Sequence, residues 1–570
     1  MAHLKGQGKT FIFPVFIMGS FCITILAGLL GTLLPSLNYL PVIGHTQISL
    51  KPWLDFFSYP GIKTSIRVTL FSGLATSFGV VSLAFLFISF FYGNALWKFF
   101  EKILSPVLSI PHAAFAIGFG FLIAPSGWLV RMVSPGMTGF VYPPDWVFLN
   151  DPEGVSLAIG LVIKEFPFLI MVAMGALGQL EIEKTILAGK ALGYQKEQVW
   201  LKILIPRLYP HLRLSIFAII AYSLSVVDMA IILGPSSPPT LAVLILKWFN
   251  DPDVNFKLMA AAGSLFLFSM VGLSILFVFF MERAVCFFLR FRITNGKRRS
   301  FPARFKSIVF FMVAGIIFFT GAASVVLVIW SVTWRWQFPD VFPIVWTLKL
   351  WAKGLASSFD PVMTTVITGM ASAFIGLVLT IGCLEHDADS KKNQTLNYNT
   401  YIHYFLYLPL LIPQITFMAG IQLSLVILGM DGYWITLVWS HLLFVLPYMF
   451  ISLSATYRAY DTRFTDQAML LKRSYPSVLF RVKLPMLLKP VLFSFAIGFC
   501  VSVAQYIPTM LVGAGRFSTI TTQVVNLASG SDRRAIAVYA LIQQSLAMII
   551  YAVAVISPKI LYYNKKGMQV

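Results

Sequence analysis

Ala188-Gly189-Lys190-Ala191-Leu192-Gly193, followed after a polar turn by Leu204-Ile205-Pro206-Arg207-Leu208-Tyr209-Pro210, is a stretch that the chain uses twice. The second copy runs Asp466-Gln467-Ala468-Met469-Leu470-Leu471-Lys472-Arg473-Ser474, then Lys483-Leu484-Pro485 and Pro490. Pro206 and Pro485 stand 279 positions apart, close to half of the 570 residues. In both copies small and apolar residues alternate with charges at helical spacing, which predicts a short amphipathic helix. The proline that follows is expected to stop that helix before the next apolar run.

Each copy is a basic island in an apolar chain. Of all residues 58% are hydrophobic and 11% charged, and the mean hydropathy is +0.82. A soluble domain has no use for so much apolar surface, so the composition predicts an all-α polytopic membrane protein. The net charge of +21 sits in short loops between apolar runs, where it reads as membrane topology and not as a nucleic-acid surface. Cys22, Cys286, Cys383 and Cys500 are isolated, with no Cys-x-x-Cys pair, so neither a metal site nor a disulfide framework is expected. Gly6-Gln7-Gly8-Lys9-Thr10 mimics the end of a phosphate loop, but position 3 is His and no strand precedes it. No catalytic residues and no cofactor are expected.

Apolar segments fall near Phe11–Leu34, 62–92, 97–124, 155–180, 212–234 and 256–284, then near 307–331, 362–383, 401–429, 434–456, 490–512 and 535–558. These are about twelve transmembrane helices, each long enough for a bilayer. They divide into a first half, 1–289, with its basic island at 181–210, and a second half, 307–570, with its island at 457–490. A basic linker, 290–306, joins them. Roughly thirty of the 43 Lys and Arg residues lie at the termini and in the loops alternating with them, which places both termini in the cytoplasm. The opposite loops carry Trp53, Trp128, Tyr142, Trp334 and Trp336, aromatics suited to the outer boundary of a bilayer.

Further blocks repeat in the same order. Ser72-Gly73-Leu74-Ala75-Thr76-Ser77-Phe78 matches Thr368-Gly369-Met370-Ala371-Ser372-Ala373-Phe374, and Ile110-Pro111-His112 matches Ile412-Pro413-Gln414. Gly118 matches Gly420, Pro167 matches Pro447, and Gly234 with Thr240 matches Gly513 with Thr519. An even number of helices per half makes the two repeats parallel, related by an axis along the membrane normal. The small residues of the Ser72 and Thr368 blocks are read as helix-packing positions.

The doubled island resembles the cytoplasmic coupling loop of binding-protein-dependent ABC importer permeases, which reads Glu-Ala-Ala, three residues, Gly, then about a dozen residues to Leu-Pro or Ile-Pro. The first copy keeps Ala188, Gly193 and Ile205-Pro206 but has Leu187 at the acid. The second keeps Asp466 and Ala468 but has Lys472 at the glycine. The whole chain is similar to a fused, double-length permease of the type I importer class that handles ferric iron, thiamine and similar solutes, and within it to Ynj-type permeases. Lys164-Glu165-Phe166-Pro167, Leu233-Gly234-Pro235 and Gly513-Ala514-Gly515-Arg516 carry that finer likeness. The resemblance implies a bacterial inner-membrane protein, two copies of a separate ATPase docked under the coupling helices, and an extracytoplasmic solute-binding protein. It implies coupling roles for Ala188, Gly189, Gly193, Asp466 and Ala468, the small residues permitting close approach to the ATPase. Glu183, one turn before Leu187, is a candidate replacement for the missing acid.

Lys164 and Glu165 lie inside the fourth apolar run and Asp228 inside the fifth. A charge at such depth costs on the order of 2.5–3.5 kcal/mol and usually faces a protein interior or a water-filled path. These three, with Gln505 in the second half, are candidates for a translocation path or gate. The other reading is a buried pair that fixes helix packing, with Asp228 as the partner of Lys164. A two-repeat secondary transporter of the major-facilitator kind is the alternative function. Its Gly-x-x-x-Asp-Arg loop would fall at Tyr92–Lys98, which contains neither Asp nor Arg.

Overall fold

The computed structural model describes residues 10–294, 303–392, 398–471, 474–530 and 532–563. Lys5 and Lys9 at the N-terminus, the linker cluster Lys297–Arg299, and Lys472-Arg473 of the second island lie outside the described residues.

The first half is built from α1 (Ile12–Ser36), α2 (Ile62–Phe91), α3 (Ala95–Ser109), α4 (His112–Ile123), α5 (Val155–Leu177), α6 (Ile182–Ala191), α7 (Ile205–Ser225), α8 (Asp228–Leu233), α9 (Leu241–Phe249) and α10 (Asn255–Thr294). The second half repeats the order as α11 (Ala303–Ser331), α12 (Phe359–Lys392), α13 (Tyr398–Leu411), α14 (Gln414–Ile427), α15 (Trp434–Arg458), α16 (Arg463–Leu470), α17 (Leu488–Val503), α18 (Ile507–Val512), α19 (Ile520–Ala528) and α20 (Arg533–Leu561). Among the described residues ten helices are long and apolar enough to cross a bilayer, or twelve when each bent pair is one span. The architecture is therefore the all-α, polytopic one that the composition predicts.

Four of the expected spans are broken. The run 97–124 splits into α3 and α4 at Ile110-Pro111, and the run 401–429 splits into α13 and α14 at Pro413 with a bend of 104°. A residue before proline is pushed out of the α region, and Ile110 is extended there (φ −70°, ψ 120°). The runs 212–234 and 490–512 break at Val226-Val227 and at Ala504–Tyr506, giving the α7/α8 and α17/α18 pairs. The short helices α9 and α19, unforeseen from hydropathy, follow these breaks. Each is hung from the long helix of its half: the Leu241 amide donates to Thr69 Oγ1 at 2.8 Å, and the Ile520 amide to Thr365 Oγ1 at 2.9 Å. This pair of bonds obeys the repeat.

The halves are laced together by their first helices. α1 packs on α14 of the second half: the Gly28 and Gly31 positions meet the backbone of Phe417 and Gly420, and Thr32 Oγ1 donates to the Thr416 carbonyl at 2.5 Å. Reciprocally, α11 packs on α4, where a Cβ on Gly118 would fall 2.4 Å from the Ala323 carbonyl oxygen. The repeated glycines Gly118 and Gly420 are thus the close-approach points of the two halves. Gly73 abuts Leu224 and Gly369 abuts Phe499, so each small-residue block seats the second helix of its half on α7 or α17.

Outside the helices, a two-stranded hairpin pairs Thr333–Arg335 with Val345–Trp346. Arg131 donates to the carbonyls of Gln337 and Asp340 at 2.5 and 3.1 Å and lies over the Trp336 ring. This ties the loop after α4 in the first half to that hairpin.

Candidate functional site

The four helix breaks converge. A cavity of about 210 Å³ is lined by residues 108–112 and 225–228 from the first half and by Ile412, Gln414 and 504–507 from the second. Unwound backbone is tolerated at membrane depth only where protein buries it or a cavity solvates it. All four path candidates line this cavity: Lys164 and Glu165 from α5, Asp228 at the head of α8, and Gln505 in the α17/α18 break.

The expected Lys164–Asp228 pair is not formed. Lys164 Nζ turns instead to the end of α3, donating to the Ile110 carbonyl at 2.8 Å and to Val107 at 3.4 Å. These carbonyls are freed where Pro111 interrupts the helix, so the ammonium caps a helix C-terminus, a favourable place for a cation. Glu165 Oε1 faces His112 Nε2 at 3.4 Å. Across the cavity Gln414, the repeat counterpart of His112, approaches Gln505 at 3.4 Å. His112 and Gln414 were legible only as members of a repeated block; their place in the site comes from the helix break beside each. Tyr222, Tyr448 and Tyr506 complete the polar wall, and nothing in an apolar run singles out a tyrosine in advance. The polar charge is one-sided. Phe444 occupies the Lys164 position in the second half, and Ile507 the Asp228 position.

Beneath the cavity, both islands fold as the amphipathic helices the spacing predicts, α6 and α16. The expected stop at proline is corrected. α6 ends at Gly193, whose φ is +82°. The Tyr194 amide donates to the Gly189 carbonyl at 3.0 Å and the Gly193 amide to Lys190 at 2.8 Å, a Schellman closure that favours glycine. Pro206 lies just past the π-helical turn Trp200–Leu204, inside a continuous helical run that it does not stop. Glu183, Ala188 and Gly193 are exposed, as is Asp466. Gly189 is not: a Cβ there would fall 2.3 Å from Val199. Ala468, its counterpart 279 residues on, is likewise buried. Their small size seats each island helix on its own loop, whereas Glu183, Ala188, Gly193 and Asp466 lie at the surface. At the start of α16, hydrogen bonds from Arg463 hold the exposed Asp461 carboxyl below its usual range.

A π-helical turn joins each basic island to the next membrane helix, at Trp200–Leu204 and again at Leu479–Lys483. Such turns are uncommon and recur at functional sites. The first sits in a helical rod that runs from Lys196 to Ser225 at the cavity wall. The second is followed by an 83° bend at Leu487. The second carries a buried ion pair: Lys483 Nζ lies 2.6 Å from Glu385 Oε1 with both side chains buried, and the hydroxyls of Tyr457 and Tyr475 donate to the same carboxylate. Leu204 occupies the Lys483 position in the first half.

No protein-family model matches the chain. Over 522 residues, 92% of this chain and 93% of the relative, it is 30% identical to the inner membrane ABC transporter permease protein YnjC of Escherichia coli (strain K12). With a doubled set of membrane helices, a cavity between the halves and paired basic loops beneath it, the chain belongs to the ABC transporter permease family and is a multi-pass inner-membrane permease.

Proposed function

We propose that the chain is the permease of an import system, with the inter-half cavity as its solute path. Two copies of a separate ATPase dock on the exposed faces of α6 and α16, and an extracytoplasmic solute-binding protein delivers the solute to the outer loops. Both termini face the cytoplasm, as the Lys and Arg distribution requires. The observation that carries the reading is the unbroken rod from Lys196 to Ser225. It joins the coupling loop to the helix break holding Asp228, so displacement of one end moves the other as a rigid body. Glu165, Asp228 and Gln505 then contact solute, while Lys164 holds the end of α3. The test is ATP hydrolysis by the permease reconstituted in nanodiscs with its ATPase, with solution ATPase as the control. Asp228→Asn should keep wild-type protein level and ATPase docking while changing the stimulated rate several-fold. A loss of folded protein in Asp228→Asn would assign that residue to packing instead.

A further inference from the structure

The two halves repeat their helices but not the bonds that hold their cavity breaks. In the second half His441, fully buried on α15, bridges the break: its Nδ1 is 2.8 Å from Ser502 Oγ on α17 and its Nε2 is 2.9 Å from Thr509 Oγ1 on α18. Thr509 Oγ1 in turn donates to the Gln505 carbonyl inside the break at 3.0 Å. A second brace comes from behind. Thr521 on α19 donates to the Val503 carbonyl, the last of α17, and Gln543 Nε2 on α20 holds Thr521 Oγ1 at 2.7 Å.

The first half keeps the framework and lacks both braces. Ser223 stands at the Ser502 position, but Leu161 replaces His441 and Ala230 replaces Thr509. The Ser223 hydroxyl is buried with no partner among the described residues. Ala242 replaces Thr521 and Ser264 replaces Gln543, and the Ser264 hydroxyl is also unpartnered among the described residues. The contrast is not general looseness, because the Thr69 and Thr365 bonds are matched in both halves. It coincides with the continuous rod of the first half and the bent one of the second.

We infer that His441 is a positioning residue that, with Thr521 and Gln543, fixes the second-half break as a static wall, so that the α7/α8 break of the first half is the element that moves during transport. A buried imidazole bonded at both nitrogens cannot release α17 from α18 without leaving polar groups unsatisfied. Among the described residues no side-chain bond of this kind spans the α7/α8 break; α8 is held at its far end, where Asn150 and Ser156 donate to the carbonyls of Ile232, Leu233 and Gly234. The coupling stroke arriving along the continuous rod therefore acts on the break that lacks the His441 and Thr521 braces.

The inference rests on the ATP-driven reading above, and the experiment separates the two. Val226 and Gln505 are repeat counterparts and both line the cavity. Val226→Cys and Gln505→Cys are made singly in full-length permease whose four native cysteines are replaced, assembled with its ATPase in nanodiscs. Labelling by a water-soluble maleimide is timed without nucleotide and after trapping with ATP and vanadate. The expected result is a change of at least fivefold at Val226→Cys and less than twofold at Gln505→Cys. An equal or larger change at Gln505→Cys overturns the inference. No change at either position overturns ATP-driven coupling itself, and the inference with it. His441→Leu should raise the change at Gln505→Cys to that at Val226→Cys, and His441→Gln, which can still bond both hydroxyls, should restore it; no rise with His441→Leu overturns the role of His441. The reverse variant, Leu161→His with Ala230→Thr, supplies a brace beside the unpartnered Ser223 and needs no destabilised protein. It should cut the change at Val226→Cys below twofold, and an undiminished change overturns the inference.

Discussion

Gly28 and Gly420 meet backbone to backbone across the two halves: a Cβ on Gly420 would fall 1.8 Å from the Gly28 carbonyl oxygen. Backbones approach this closely only where side chains are absent, and in a bilayer such packing replaces the hydrophobic effect as the force between helices. Gly420→Leu should reduce monodisperse, detergent-extracted protein several-fold. Gly19→Leu on α1, the helix that carries Gly28, where nothing lies within 4 Å of the added Cβ, should leave the yield unchanged. Size-exclusion profiles of the two variants check this.

The buried Glu385–Lys483 pair at the second island makes a separate forecast. Removing one partner strands a charge in a dry site, a loss of about 3–5 kcal/mol, whereas replacing both is often neutral. Lys483→Met and Glu385→Gln should each lower the thermal unfolding midpoint. The double variant should recover most of the loss. A double variant less stable than both singles would show that the two residues act separately.

Gly189 and Gly193 do different things in one loop. Gly193→Ala forces a left-handed backbone on a residue with a Cβ, at a cost of roughly 1–2 kcal/mol, and should fray the end of α6 while leaving its exposed face intact. Gly189→Val drives a side chain into Val199 and should unseat the whole helix. ATPase binding measured by co-purification should fall modestly for Gly193→Ala and by tenfold or more for Gly189→Val.

Much of this was legible in the sequence because the repeat doubles every weak signal. Hydropathy alone located the membrane runs, and the 279-residue spacing that relates Pro206 to Pro485 also relates the two π-helical turns and the buried pair Gly189 and Ala468. What escaped is local. A run such as 212–234 is apolar throughout, so nothing in its hydropathy marks the break at Val226-Val227; only Asp228 hinted at it. The Lys164–Asp228 pair was inferred from charge, but the freed carbonyl of Ile110 is a nearer partner for the ammonium. Prolines were read as stops, although Pro206 sits inside the rod just past a π-helical turn and a glycine ends the helix before it. The braces around His441 were invisible because a lone histidine in an apolar run gives no sign of the hydroxyls it will meet.

The central claim is that α6 and α16 together receive the ATPase. Leu187 is exposed on α6 and Asp466, its repeat counterpart, is exposed on α16. A photo-crosslinking residue placed at each position in turn, in membranes containing the ATPase, measures the contact directly. The account predicts a crosslink to the ATPase subunit from both positions, diminished when a competing excess of free α6 or α16 peptide is present. Crosslinks from one island alone, or from neither, would contradict it.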